Sequence, residues 1–393
     1  MIPRPVFARA PRRVYWEVTR ACDLACRHCR AEAAPTPDPA ELDTVEGSRL
    51  IERLAGFGPP LPHLVLTGGD PLKRPDLFSL IGFARALGFP VSVAPSATPL
   101  LTAEAIKRLR AAGVEAISLS LDGSDAARHD ALRGVPGCFD RTVAAARAAR
   151  QVGLPFQVNT LVSRETVADL PAVYEVVKDL GAKRWSLFFL VAVGRGTVLE
   201  AISPGECEWL FARLAELPTG EGPVVTTTEA PHFRRVVLQR AHHHLRGPRS
   251  PYPLASPAAA ARQTPRTPPG ADTRRGLRGS EHAHSGAGIR DGNGIMFISH
   301  TGEAYPSGFF PLPGGTVRRQ DPVAIYRHSP IFRALRRPDL FGGRCGRCEF
   351  RGICGGSRAR AFAATGDPLG EDPLCAWEPG SSAHPVAAAG GSR

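Results

Sequence analysis

The chain is 393 residues long, 43% hydrophobic and 22% charged, with a formal net charge of +12. That length allows two or three domains and a large core, and the apolar content is ordinary for a soluble globular enzyme. The longest apolar stretch, Leu187 to Val193, is too short to span a bilayer. No apolar h-region follows the basic Arg4, Arg9, Arg12 and Arg13, so neither a membrane span nor a secretory signal is expected, and a cytoplasmic protein is.

Residues 1–13 read as a Pro- and Arg-rich lead-in. Val14 to Val18 is an apolar run expected to form a strand, and it leads into Thr19 to Cys29, where three cysteines stand as C-x3-C-x2-C. Thr44 to Phe57 has helical spacing, with Val45, Leu50, Ile51 and Leu54 on one side and Asp43 or Thr44 as its cap. An alternation follows. Strands are expected at Leu64 to Leu66, Val91 to Ala94, Ala116 to Leu121, Phe156 to Leu161 and Trp185 to Val191. Helices are expected at Leu77 to Leu87, Thr102 to Ala112, Phe139 to Gln151 and Val167 to Leu180, with one more from Glu206 to Leu217. Six strands alternating with helices imply parallel crossover units and an α/β fold. Six are too few for a closed eight-stranded barrel, and chemistry in such folds gathers at the carboxyl ends of the strands.

Residues 240–289 are rich in Ala, Pro, Arg, Gly and His without hydrophobic periodicity, and are expected to be disordered. His242, His243, His244, His282 and His284 lie there; such tracts bind metal less often than they do nothing specific. Between Arg240 and Arg290 nine arginines face only Asp272 and Glu281. More than half of the net charge therefore sits in this segment, which weakens a nucleic-acid reading. Gly294 to Tyr305 reads as a hairpin turning at His300 to Glu303, and the tail, 380–393, is Ala/Gly/Ser-rich.

In a reducing cytoplasm nine cysteines favour metal ligation over disulfides. Cys138 and Cys207 stand alone and read as packing residues, while the other seven form two groups. Thiolates are soft ligands, four of which normally hold a cubane iron–sulfur cluster; Cys22, Cys26 and Cys29 would leave one iron open. A closed zinc site wants four ligands, and His28, between two of the cysteines, cannot easily reach a metal they share. Cys345, Cys348, Cys354 and Cys375 run as C-x2-C-x5-C-x20-C, and on spacing alone they suit zinc or a [4Fe–4S] cluster equally. Gly68-Gly69-Asp70-Pro71 ends the second strand, and Ser96, Ser120, Asp122 and Asn159 lie at or near later strand ends, where capping and turn formation are their ordinary uses. Arg164 follows the fifth strand and can grip a carboxylate bidentately.

The three-cysteine loop resembles the signature loop of radical S-adenosylmethionine (SAM) enzymes, and Gly68 to Pro71 resembles their Gly-Gly-Glu-Pro motif with Asp70 in place of Glu. The resemblance spans roughly 12–239 and 290–378. It implies a partial, open (β/α)6 TIM-like barrel over 14–239, a [4Fe–4S] cluster on Cys22, Cys26 and Cys29, and SAM chelating the open iron. By the same resemblance Gly68, Gly69, Asp70 and Pro71 meet the SAM amino group, Asp70 mainly through backbone because it is short. Ser96, Ser120, Asp122 and Asn159 hold its carboxylate and ribose, Arg164 is a carboxylate partner, and His28 stacks near the adenine.

The segment from Arg344 to Ala361, with Gly366-Asp367 and Cys375, resembles SPASM/twitch extensions, closest to the branch that modifies tetrapyrroles in haem d1 and alternative haem biosynthesis. That implies a small cysteine-rich domain at 290–379 with one auxiliary [4Fe–4S] cluster, because Ser307 and Ser357 stand where fuller extensions carry cysteine. The implied reaction is reductive cleavage of SAM to a 5′-deoxyadenosyl radical that abstracts hydrogen from substrate, with a reducing donor such as flavodoxin or ferredoxin. An oxidative decarboxylation or dehydrogenation of a tetrapyrrole side chain is expected, with Arg195 as a carboxylate partner. A ribosomally made peptide is the other substrate class; a leader-binding domain would usually precede the core, where about a dozen residues stand. A zinc-stabilised nucleic-acid-binding protein would explain the charge and the cysteines but not the strand–helix units. No catalytic acid or base is readable, and neither a nucleic acid nor a membrane is expected as partner.

Overall fold

The computed structural model describes residues 7–218, 220–245 and 288–381. Most of the segment expected to be disordered, with His282 and His284, and most of the tail lie outside the described residues.

Seven parallel strands follow one another across the sheet: β1 (Arg13–Thr19), β2 (His63–Gly68), β3 (Val91–Val93), β4 (Ala116–Ser120), β5 (Phe156–Val162), β6 (Arg184–Phe189) and β7 (Val224–Thr228). Helices α1 (Thr44–Leu54), α2 (Leu77–Ala86), α3 (Ala103–Ala111), α4 (Ala126–Arg133), α5 (Cys138–Gln151), α6 (Leu170–Leu180), α7 (Pro204–Leu214) and α8 (Phe233–Leu245) connect or follow them. The expected alternation is present as β1 to β6 and continues into β7. That strand is easy to miss because only two of its five residues, Val224 and Val225, are apolar, and none is fully buried. Helix α4 was likewise unmarked in the sequence, since it buries only His129 and Leu132. Helix α8 carries regular structure through His242, His243 and His244 to Leu245, inside the segment read as disordered.

The hairpin forms as β8 (Ile295–Ile298) and β9 (Glu303–Tyr305), followed by β10 (Gly315–Thr316). Strand β8 joins β1 in parallel, Arg13 opposite Ile295 and Trp16 opposite Ile298. The sheet order is therefore β10-β9-β8-β1-β2-β3-β4-β5-β6-β7. Its two edges, β7 and β10, do not pair among the described residues, so the barrel stays open. The C-terminal part adds α9 (Pro322–His328), α10 (Pro330–Leu335), α11 (Gly343–Arg347) and α12 (Arg358–Thr365). No described helix is long and apolar enough to cross a membrane.

The alternation of β1 shows how the chain separates core from site. Val14, Trp16 and Val18 are fully buried and belong to the main hydrophobic core, while Glu17 and Thr19 point to the other face. Helix α1 is started by a capping box between Asp43 and Glu46 and packs Leu50, Ile51 and Leu54 inward. Val45, expected on that face, is 64% exposed. Gly47 takes its place because the Trp16 indole fills the space: a Cβ there would lie 2.6 Å from Cη2.

Candidate functional site

The loop that follows β1 is held by backbone from three strand-to-helix regions. From β2, Gly69 N donates to Thr19 O (2.8 Å) and Asp70 N to Ala21 O (2.7 Å). A Cβ on Gly68 would stand 2.3 Å from Thr19 O, and one on Gly69 2.4 Å from Ala21 O. The two glycines are thus required first by the approach of this turn to the cysteine loop itself. From α4, Arg133 O accepts from Ala25 N (3.1 Å) and Leu132 O from Arg27 N (2.9 Å). Gly134 ends that helix in the left-handed region (φ 70°), where a side chain would meet Ala25 O at 2.8 Å. After β6, Arg195 N donates to Cys29 O (3.0 Å), and a Cβ on Gly194 would lie 2.6 Å from Arg30 O.

The loop thiols are free, with Cys22 and Cys26 buried and Cys29 half-buried. Each sulfur accepts an N–H: Cys22 from Leu24 N (3.4 Å), Cys29 from Ala33 N (3.5 Å) and Cys26 from Arg133 Nη1 (3.7 Å). Donors aimed at sulfur stabilise thiolate, and three thiolates on one loop fit an iron–sulfur cluster with one iron left for another ligand. His28 is half-buried, and its Nδ1 has no hydrogen-bond partner. Burial, helped by nearby Arg133, pushes its pKa down to about 4, so the ring is neutral.

The strand-end residues divide into two kinds. Asp70 is fully buried and its carboxylate is turned inward, accepting from Thr98 Oγ1 (2.6 Å), Leu72 N (3.1 Å) and Ser96 N (3.3 Å). This leaves backbone as what the turn presents. Pro71 starts the 3-10 turn that follows. Ser96 Oγ donates to Gly69 O (2.6 Å) and also lies against the Cys22 thiol. Ser120 and Asn159 face each other across β4 and β5, both half-buried, and Asn159 Oδ1 accepts from Gln157 Nε2 (2.8 Å).

Two of the expected residues already have protein partners. The Asp122 carboxylate, expected to hold SAM, is buried, paired with Arg133 and accepting from Leu161 N (2.7 Å). Burial works against its charge, but Arg133, with His28 and His129, outweighs that and holds its pKa below the ordinary value. Arg164 has a side chain 62% exposed and pairs with Glu200 at 3.5 Å, so it is not drawn to the loop. A charge-bearing strand end is free to turn outward where an exposed carboxylate meets it.

Sequence reasoning missed Arg133, which joins Asp122 to Cys26 from the unrecognised α4. It also missed Glu17, which binds His300 Nδ1 at 2.8 Å and Arg30 Nη2 at 3.2 Å, while Arg30 lies over the Phe297 ring at 4.3 Å. Burial opposes the Glu17 charge, yet Arg30 and His300 outweigh it and keep its pKa low. A carboxylate inside an otherwise apolar strand was the available signal. Arg195 was foreseen, and its Nε and Nη2 are buried without partners beside the cysteine loop.

The four C-terminal cysteines line one pocket with the cations Arg235, Arg344 and Arg351, the carboxylates Glu371 and Asp372, and the rings of Phe350 and Trp377. Cys348 Sγ accepts from Phe350 N (3.4 Å), Cys354 Sγ from Gly356 N (3.4 Å) and Cys345 Sγ from Arg358 Nη2 (3.5 Å). Burial pushes Cys348 up to about 11, and Cys354 and Cys375 up to about 12. A bound metal would be what deprotonates them; the four thiols are the soft donors of a four-thiolate cluster, while among the described residues no three His, Cys, Asp or Glu side chains are placed to hold a single metal ion. Ser357 does not line the pocket; its hydroxyl accepts from Arg360 N (3.0 Å) as the cap of α12 and touches Glu229. Ser307 is buried, also outside the pocket, and its hydroxyl has no partner. Arg360 ties this region to the barrel mouth, reaching Asp372 (3.1 Å), Leu190 O after β6 (3.3 Å) and Glu229 O after β7 (2.6 Å).

Known proteins resemble this chain in sequence and in fold. The model of the radical SAM superfamily matches residues 16–177. A curated protein of Methanosarcina barkeri named AdoMet-dependent heme synthase is 36% identical over 375 residues, 94% of this chain and 98% of that protein. The pre-heme d1 synthase of Dinoroseobacter shibae is 28% identical, over 95% of this chain and 86% of that one. In fold, the chain is similar to the crystal structure of Streptococcus suis SuiB bound to precursor peptide SuiA, with a TM-score of 0.67 at 15% identity, covering 95% of this chain and 77% of that one.

Proposed function

The chain belongs to the radical SAM superfamily, and on that premise we propose that it oxidises a propionate side chain of a tetrapyrrole, by decarboxylation or dehydrogenation. The observation that carries this reading is Arg195: a guanidinium with two buried, unpartnered nitrogens, anchored through its own backbone N–H to Cys29 O after the carboxyl end of β6. Arg195 is half-buried, and a substrate carboxylate offers its two unpartnered nitrogens a bidentate partner. Relatives similar over nearly the whole chain are named heme synthase and pre-heme d1 synthase, which supports the same substrate class.

In this reading Cys22, Cys26 and Cys29 hold a [4Fe–4S] cluster that, when bound, supplies the electron by which SAM yields methionine and a 5′-deoxyadenosyl radical. The backbone of Gly68 to Pro71, with Ser96, Ser120 and Asn159, lines the SAM site, and neutral His28 offers an apolar ring face for the adenine. Arg133, whose Nε is buried without a partner, takes the carboxylate role expected of Arg164. Cys345, Cys348, Cys354 and Cys375 hold one auxiliary [4Fe–4S] cluster, and a flavodoxin or ferredoxin supplies electrons.

The test is anaerobic reconstitution with iron and sulfide, reduction in the presence of SAM, and detection of 5′-deoxyadenosine with and without iron-coproporphyrin or sirohaem-derived tetrapyrroles. Deoxyadenosine that rises with a tetrapyrrole whose mass changes is the expected result. Deoxyadenosine at background with every tetrapyrrole unchanged would move the search to peptides. Arg195→Ala is expected to raise KM for the tetrapyrrole roughly 10- to 100-fold, the loss of one charge-assisted contact of about 1.5–3 kcal/mol. An unchanged KM would remove Arg195 from the substrate site.

A further inference from the structure

Glu371 and Asp372 also line the four-cysteine pocket, but they pair with Arg344 and Arg360, and two further arginines beside the pocket are buried without an ion pair. Arg358 is fully buried and Arg290 is 5% exposed. Arg358 places Nη2 on Cys345 Sγ (3.5 Å) and Nη1 on Gly370 O (2.5 Å). Arg290 gives Nη1 to Gly288 O (3.2 Å) and Nη2 to Leu335 O (3.3 Å), while its Nε has no partner. That Nε lies 3.2 Å from where a Cβ of Gly355, the residue after Cys354, would stand. Both guanidinium groups lie over the same Phe341 ring, at 4.6 and 5.2 Å. Among the described residues no carboxylate is within ion-pair distance of either, and the neighbouring Asp291 spends its Oδ2 on the backbone N–H groups of Arg358 and Ala359.

Unpaired buried cations are strongly unfavourable, and carbonyl dipoles and ring faces offset only part of that. The missing negative charge is available from the cysteines beside them: four thiolates around an iron–sulfur cluster leave the site net negative, and one-electron reduction makes it more negative by one charge. We propose that Arg358 and Arg290 are the counter-charges of the four-cysteine site, and that they raise its reduction potential so that it accepts an electron from the substrate radical. This rests on the reading of that site as iron–sulfur.

The electrons balance for decarboxylation. The carbon radical left after hydrogen abstraction stands one carbon away from the carbon that bears the carboxylate. Cleavage of the bond to the carboxylate carbon releases carbon dioxide and forms a carbon–carbon double bond, with one electron left over. That electron is the one Arg358 and Arg290 favour at the four-cysteine site, and a one-electron carrier protein of the flavodoxin or ferredoxin class removes it. Charge and hydrogen bonds at cluster sulfur are among the main levers on such potentials.

The measurement is a redox titration followed by electron paramagnetic resonance. It uses the full chain, reconstituted with iron and sulfide, with Cys26→Ala throughout so that only the C-terminal site carries signal. Arg358→Gln and Arg290→Gln are each expected to lower the reduction equilibrium constant at least tenfold, about 59 mV for a one-electron couple. Arg358→Lys keeps the charge and should keep most of the potential. If both Gln variants lose iron while the Lys variant holds it, the counter-charge role also stands. An unchanged midpoint in both Gln variants with iron intact, or a site that takes zinc and no sulfide, would overturn the proposal. No substrate enters the measurement, so a wrong tetrapyrrole leaves this result untouched, and a zinc site leaves the radical chemistry of the first loop untouched.

Discussion

Cys26→Ala is expected to lose half of the reconstituted iron and sulfide and to reduce 5′-deoxyadenosine to background, with the C-terminal site still loaded. The expectation follows from the geometry of the loop. Cys26 is the middle cysteine of three, it is buried, and its sulfur takes the Nη1 of Arg133. With only Cys22 and Cys29 left, two thiolates remain to hold a cluster that already lacks a fourth protein ligand. The fold should survive, because the loop is held by backbone hydrogen bonds from Thr19, Ala21, Ala25, Arg27 and Cys29 that the substitution does not touch. Iron and sulfide analysis beside far-ultraviolet circular dichroism checks both halves. Full iron content in a folded Cys26→Ala protein would mean that the loop is not the cluster site.

Asp122→Asn is expected to have the largest effect on stability, about 3–5 kcal/mol, because it leaves the Arg133 guanidinium buried without its countercharge. The pH dependence has a definite sign. The Asp122 pKa is held below its unfolded value of about 3.9, so its stabilisation is complete above that pH and is lost as pH falls through the lower folded value. Urea unfolding of wild type and Asp122→Asn should therefore differ most near neutrality and converge in acid. A difference that stays constant down to pH 2 would show that the loss comes from packing and not from the ion pair. The variant should also weaken cluster assembly, since Arg133 carries a loop sulfur on one nitrogen and Asp122 on another.

Much of the candidate site was legible in the sequence because its cysteines come in local groups. C-x3-C-x2-C sets three thiols on one turn of chain wherever that turn is placed. Gly68-Gly69 was legible too, although for an incomplete reason: the glycines clear backbone of the cysteine loop before they clear anything for a ligand. The strand–helix alternation from β1 to β6 was readable because each strand is an apolar run with a polar end. Strand β7 was not, because a strand made of Val and Thr at the sheet edge buries too little to leave a hydrophobic signature.

The sequence by itself determined the two groups of cysteines, the parallel fold that carries them and the strand-end position of the polar residues. Only the tertiary structure decided which charges meet. It turned Asp122 to Arg133, left Arg164 on the surface with Glu200, and brought His300 to Glu17 across 283 residues of chain. It also set Arg358 against Cys345 and left the Arg195 guanidinium unpartnered beside the cysteine loop. The physical reason is range. A ligand spacing is local geometry that the chain carries with it, whereas a buried ion pair exists only where burial strengthens the attraction and packing has already brought both partners together.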